Sequence, residues 1–161
     1  MKKENRQKGF TLIEMIVSLV LVGILSAFAG MGIVAGVQGY LFAKETASVN
    51  EKAQLALMRI NRELLECYNC NGTATASLVN QPFENNLGTR YIRQVGTNIV
   101  ISDTSAGAGD MLLDNVTADS FTMIYQGDKN IQISFKSAVT PGGASVPPFT
   151  SRVYPRNTRF D

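Results

Sequence analysis

The chain has 161 residues, with 15 Lys and Arg against 13 Asp and Glu, a formal net charge of +2, and no histidine. That length suits one ordinary domain with an appendage. Without histidine the usual general base, the commonest metal ligand and the standard hydrolytic triads are missing, so neither catalysis nor a metal or other cofactor is expected.

A charged content of 17% and a mean hydropathy of +0.03 conceal an uneven distribution. In the first nine residues Lys2, Lys3, Arg6 and Lys8 stand against Glu4, which leaves 11 basic and 12 acidic groups for the remainder, a net of −1. By charge, the bulk of the chain is not a nucleic-acid binder, and no motif points to a small-molecule substrate. Residues 15–43 then run for 29 positions without a charge; 21 are hydrophobic, and the rest are five glycines, Ser18, Ser26 and Gln38. Such a run can span a bilayer. The basic flank belongs on the cytoplasmic side, so the chain beyond about Lys44 is expected to lie across the membrane.

Three fates compete for this segment: a secretory signal cut after Ala27-Phe28-Ala29, a permanent anchor, or a short leader removed ahead of a retained helix. The apolar stretch continues past Ala29 through Ile33, Val34, Val37, Tyr40, Leu41 and Phe42, further than a secretory signal requires. Glu14 narrows the choice. Carried toward the bilayer centre, a carboxylate costs up to about 2.5–3.5 kcal/mol, so it calls for a partner or an interfacial position.

Lys8-Gly9-Phe10-Thr11-Leu12-Ile13-Glu14, between a basic leader and a long apolar helix, resembles the type IV prepilin signal shared by pilins and type II secretion pseudopilins. The resemblance implies that an inner-membrane prepilin peptidase cuts between Gly9 and Phe10 and N-methylates Phe10. It also implies that Glu14 serves assembly. Gly9 lets the backbone approach a peptidase closely, and Glu14 can pair with the Phe10 amine of a neighbouring subunit as helices stack. Gly32 and Gly36 form a G-x-x-x-G that suits helix packing, extended by Gly23/Ala27, Ser26/Gly30 and Ala35/Gly39. Where many major pilins carry a proline, this chain has Met31 between Gly30 and Gly32, which points to a minor subunit.

Beyond the apolar run, Ala53, Leu57, Ile60, Leu64 and Cys67 recur at helical spacing, so one helix is expected over 10–68, about 90 Å long at 1.5 Å per residue. Arg59/Glu63 and Arg62/Glu66 read as i,i+4 pairs on a solvated face. Cys67 and Cys70 can form a short-loop disulfide in an oxidising periplasm; a redox-active C-x-x-C is the rival, without the strand and helix context of a thioredoxin-like fold. Haem attachment is excluded by Asn71 after Cys70, and zinc by the lack of further ligands.

The remainder reads as short strands at 91–95, 98–101, 111–116, 121–125, 131–135 and 150–154, with a hairpin turn between Tyr125 and Ile131 and loops at 102–110 and 137–148. Asp103, Asp110, Asp114, Asp119 and Asp128 match no EF-hand spacing and read as turn residues. The basic C-terminus, Arg152, Arg156 and Arg159, can contact that acidic stretch within or between subunits. Residues 53–65 and 150–157 are also similar to pseudopilin J and related minor pilins, which form a tip complex that primes filament growth.

The expected fold is α+β, a long N-terminal helix packed on a small antiparallel sheet in the manner of a pilin. Its expected divisions are a cleaved leader at 1–9, a transmembrane and filament-core helix at 10–43, an amphipathic continuation at 44–69 and a β-rich head at 70–161. The reading is a structural subunit, a minor one, of a type IV pilus or type II secretion pseudopilus. It would sit in the bacterial inner membrane with its N-terminus cytoplasmic and its head periplasmic. The expected partners are that membrane, the prepilin peptidase and other pilin or pseudopilin subunits. The alternative is a periplasmic sensor or adhesin-type binding domain, tethered by one transmembrane helix or released by signal peptidase.

Overall fold

Fifty-four residues, Leu12–Leu65, form one α-helix, α1, in the computed structural model, which describes residues 10–126 and 129–158. No proline falls within it. Thr11 caps the N-terminus: its Oγ1 and its carbonyl oxygen both accept from the Glu14 amide, at 3.3 and 3.1 Å. Thr11-x-x-Glu14 has the spacing of a capping box, and the acidic residue falls in the first turn, where the helix dipole favours it. The structure divides between Ala43 and Lys44 into two compact units.

In the unit from Lys44 onward, α1 buries Ala53, Ala56, Ile60 and Leu64, a stripe repeating every three or four residues, with Leu57 and Leu65 half-buried beside it. Leu55 and Met58 face outward. Ala53 and Ala56 join the buried cluster, and Ile60 and Leu64 fill its centre with Phe83, Ile92, Met123, Ile133 and Phe135.

Glu63 corrects the solvated-face reading of the i,i+4 pairs. It is 4% exposed and lies within the buried stripe. Arg59 Nη2 donates to its Oε1 at 2.8 Å and Asn85 Nδ2 to its Oε2 at 2.6 Å, so both carboxylate oxygens are satisfied. Glu66 accepts from Asn86 Nδ2 at 3.0 Å rather than pairing with Arg62. Helical spacing cannot reveal such partners, because Asn85 and Asn86 come from a hairpin 20 residues further along.

Seven strands form two antiparallel sheets rather than the single sheet expected. β1 (Phe83–Asn85), β2 (Gly88–Val95), β3 (Asn98–Ser102) and β4 (Asp110–Leu113) lie in that order in one; β5 (Thr122–Tyr125), β6 (Ile131–Phe135) and β7 (Phe149–Val153) make the other. Strictly alternating burial in β6 matches its Ile-Gln-Ile-Ser-Phe sequence. Tyr125 pairs with Ile131, as the hairpin reading requires; the turn residues Gly127 and Asp128 lie outside the described residues. The chain passes between sheets at 115–117. There Val116 N–H donates to Thr97 O, Thr117 N–H to Lys136 O, and Ala138 N–H to Asn115 O. Asn115 and Asp119 take positive φ at this crossing, which their short polar side chains tolerate.

The edge of β5 is covered by residues 75–78: Thr75 and Leu78 amides donate to Tyr125 O and Met123 O, and the Tyr125 amide to Ala76 O. No strand is expected here from the sequence, since the pairing depends on β5. In the loop after β3, buried Arg93 donates to Ser102 Oγ at 2.5 Å, to Thr104 O at 3.1 Å and to Gly107 O. Gly107-Ala-Gly109 therefore wraps an arginine of its own chain.

Lys52 binds Asp114 at 2.9 Å and Arg90 binds Asp103, so α1 and β2 supply the cations for these two aspartates of the acidic stretch. Arg159 lies outside the described residues. The hydrogen bond from Lys52 is the chief cause holding the Asp114 carboxyl below its ordinary value of 3.8. Burial pushes the Tyr125 hydroxyl above its ordinary 10.0, against a weaker pull from a backbone hydrogen bond of Gly72. The Tyr125 ring lies so close over Gly72 that an added Cβ there would overlap it.

Two outcomes follow for the head. Gly72→Ala should destabilise it by about 1–3 kcal/mol, because the buried Tyr125 ring cannot swing clear; urea unfolding followed by circular dichroism checks this, and an unchanged midpoint would refute the close packing. The depressed pKa of Asp114 means that its pairing stabilises the folded state above pH 3.8 and is lost as pH falls through the lower folded value. With Lys52 half-exposed and Asp114 about one-third exposed, the pair should contribute about 0.2–1 kcal/mol. The stability gap between the parent and Asp114→Asn should therefore be present at pH 6 and close below pH 3.8.

Candidate processing and assembly site

The features that could carry function begin where α1 begins. Phe10 and Thr11 precede the helix, and Phe10 is 79% exposed. Gly9 lies outside the described residues. Glu14 is exposed in the first turn of α1, four residues from Phe10, and has no cationic partner among the described residues. A carboxylate on the first turn of a helix that is otherwise apolar all round can be neutralised by an amine from another chain.

From Met15 to Ala43 every residue is exposed. Leu19, Leu25, Phe28, Met31 and Ile33 are each about two-thirds exposed or more. The helix is long and apolar enough to cross a membrane. The two serines of the apolar run are paired within the helix: Ser18 Oγ donates to Met15 O at 2.9 Å and Ser26 Oγ to Val22 O at 2.7 Å, so neither hydroxyl is left unsatisfied in an apolar medium.

At Gly23, Gly30, Gly32, Gly36 and Gly39 an added Cβ would meet open space. A shallow groove runs along Ser26, Ala27, Gly30, Val34, Ala35 and Gln38. Gly32 and Gly36 lie off this groove, on another face of the helix that is equally open.

At the other end of α1, Cys67 and Cys70 are joined by a disulfide, with Cα atoms 5.8 Å apart. Both are buried. The loop they close holds the edge of β1, since the Tyr68 amide donates to Glu84 O at 2.8 Å and Asn69 Oδ1 accepts from the Glu84 amide at 2.9 Å. It holds the C-terminal segment as well: Thr158 Oγ1 donates to Cys67 O at 2.7 Å and accepts from the Cys70 amide at 3.3 Å, and the Arg156 amide donates to Leu65 O. Sequence reasoning missed Thr158, whose role depends on a contact across 91 residues. These bonds also explain why α1 ends at Leu65, short of the expected Tyr68: the backbone turns away to pair with β1.

The α+β arrangement, one long apolar N-terminal helix with small antiparallel sheets, is that of a pilin-like protein. Residues 5–30 match the family model described as the prokaryotic N-terminal methylation motif. No curated protein and no solved structure gives a significant match to the chain. The motif marks a substrate of prepilin processing of the type IV pilin and pseudopilin kind, and its matched stretch takes in Gly9, Phe10, Glu14 and the first five turns of α1.

Glu14→Ala removes the only carboxylate on this stretch of helix and leaves Gly9 and Phe10 intact. The variant should be inserted and cut like the parent, and recovered in sheared filaments at a small fraction of the parent's level. Immunoblotting of the membrane and sheared fractions checks this, and parental recovery from filaments would count against a role for Glu14 in assembly.

Proposed function

We propose that this chain is a structural subunit of a type IV pilus or a type II secretion pseudopilus, made as a prepilin, cut between Gly9 and Phe10 and N-methylated at Phe10. The match to the N-terminal methylation motif over residues 5–30 carries this reading, together with a helix whose apolar surface starts at the proposed cut and stays uncovered for more than 30 residues. In the inner membrane the helix is solvated by lipid, with the basic leader cytoplasmic and the unit from Lys44 onward periplasmic. In a filament the same surface is covered by neighbouring helices, and Glu14 meets the Phe10 amine of an adjacent subunit.

The organisation follows from this: a leader at 1–9, a membrane and filament-core helix at 10–43, an amphipathic continuation at 44–69 and a head at 70–161. The subunit is proposed to be a minor one, on the strength of Met31 where many major pilins have proline. Its part is to bind other subunits, without a reaction of its own.

Mass spectrometry of the mature protein tests the reading directly. A chain beginning at Phe10 with a methyl group on its amine is the expected result. A mature N-terminus at Gly30 would make the segment a secretory signal, and an intact Met1 would make it a permanent anchor; either overturns the proposal.

A further inference from the structure

Two exposed arginines of the head have no counter-charge among the described residues. These are Arg152, on β7, and Arg156, just after it, whereas Asp103 is engaged by Arg90 and Asp114 by Lys52. Both arginines line a cleft of about 280 Å³ whose other walls are Asn61 and Leu65 of α1 and Tyr154. Leu65 supplies an apolar floor, and Tyr154, 55% exposed, stands beside it. Asn61 Nδ2 donates to Ser151 Oγ at 2.9 Å, tying α1 to β7 along this cleft. β7 is the outer strand of its sheet, paired only with β6.

We infer that this cleft docks an acidic segment of a neighbouring protein subunit, with carboxylates on Arg152 and Arg156 and an apolar or aromatic side chain against Leu65 and Tyr154. Guanidinium groups bind carboxylates through paired, directional hydrogen bonds, and arginine and tyrosine at the rim of an apolar floor are the side chains that interfaces favour. A cleft of this volume takes one or two side chains. It does not fit a nucleic-acid backbone or a lipid surface, which would call for a wider field of cations than the described head presents, and the chain beyond the leader has a net charge of −1.

The inference rests on the assembly reading, and the same sample separates the two. A photo-crosslinking amino acid replaces Tyr154 in the full chain, expressed in its own cells, and the crosslinked product is mapped by mass spectrometry. The expected product joins position 154 to a peptide carrying two or more Asp or Glu within a few residues. Its yield should fall by about tenfold in Arg152→Glu/Arg156→Glu and hold in Arg152→Lys/Arg156→Lys. A crosslink indifferent to charge reversal, one to a segment without carboxylates, one to lipid or nucleic acid, or none at all overturns the inference. If the mature chain still begins at methylated Phe10 in those samples, the assembly reading survives and the docking cleft alone fails.

Discussion

The uncovered apolar surface of α1 sets the terms for everything else in the molecule. Fully burying one large aliphatic or aromatic side chain is worth about 1.5–3 kcal/mol, and between Leu12 and Phe42 most positions carry such a side chain in an exposed state. Summed along the helix, that surface amounts to tens of kcal/mol, more than the 5–15 kcal/mol that typically separates a folded domain from its unfolded chain. No rearrangement of a small head can offset it, so the surroundings must. Lipid can solvate such a helix, and packed helices can cover it. Both solutions need a backbone and hydroxyl groups that are satisfied from within, which the bonds of Ser18 and Ser26 provide.

Beyond Lys44 the same helix solves a different problem. Only one stripe is buried, and it is narrow: Ala53, Ala56, Ile60 and Leu64 join a core shared by both sheets. Glu63 lies in that stripe with Arg59 and Asn85 on its two oxygens. Losing either partner would leave a buried carboxylate under-compensated, which is far more costly than the small net gain from the pair itself. The Glu63 cluster therefore specifies how the β1–β2 hairpin seats on α1, more than it adds stability.

The helix and its division into an apolar run and a one-sided stripe were legible because both depend on local periodicity. β6 was legible to the residue because alternation of apolar and polar residues survives in it, and β2, β3, β5 and β7 nearly so because each carries a short run of β-branched or aromatic residues. β1 was not, since Phe-Glu-Asn has no alternation to read and becomes a strand only because β2 and the disulfide loop lie against it. The same holds for residues 75–78 beside β5. At the candidate site, Phe10 and Glu14 stood out because a specific local pattern marks them. Thr158, Asn85 and the pairing of Lys52 with Asp114 join positions between 22 and 91 residues apart, and no one-dimensional pattern records such contacts.

The junction at the end of α1 shows how little of the head's organisation is carried by covalent constraint alone. A disulfide across a three-residue separation closes a very short loop, and in the chain-entropy account short loops gain least, about 2 kcal/mol here against nearly 5 for a loop of a hundred residues. What the loop does is geometric. It holds the Tyr68 amide and the Asn69 carboxamide toward Glu84, and the Cys67 carbonyl and Cys70 amide toward Thr158. One short loop thereby joins the end of the helix, the edge of the first sheet and the C-terminal segment that continues from the second. The segment so held also carries Arg156, whose backbone amide is fixed to Leu65 O while its guanidinium lines the cleft with no acidic partner among the described residues. A cleft meant to receive a partner needs walls that hold still with their charges unspent, and the backbone bonds at this junction provide the first condition without consuming the second.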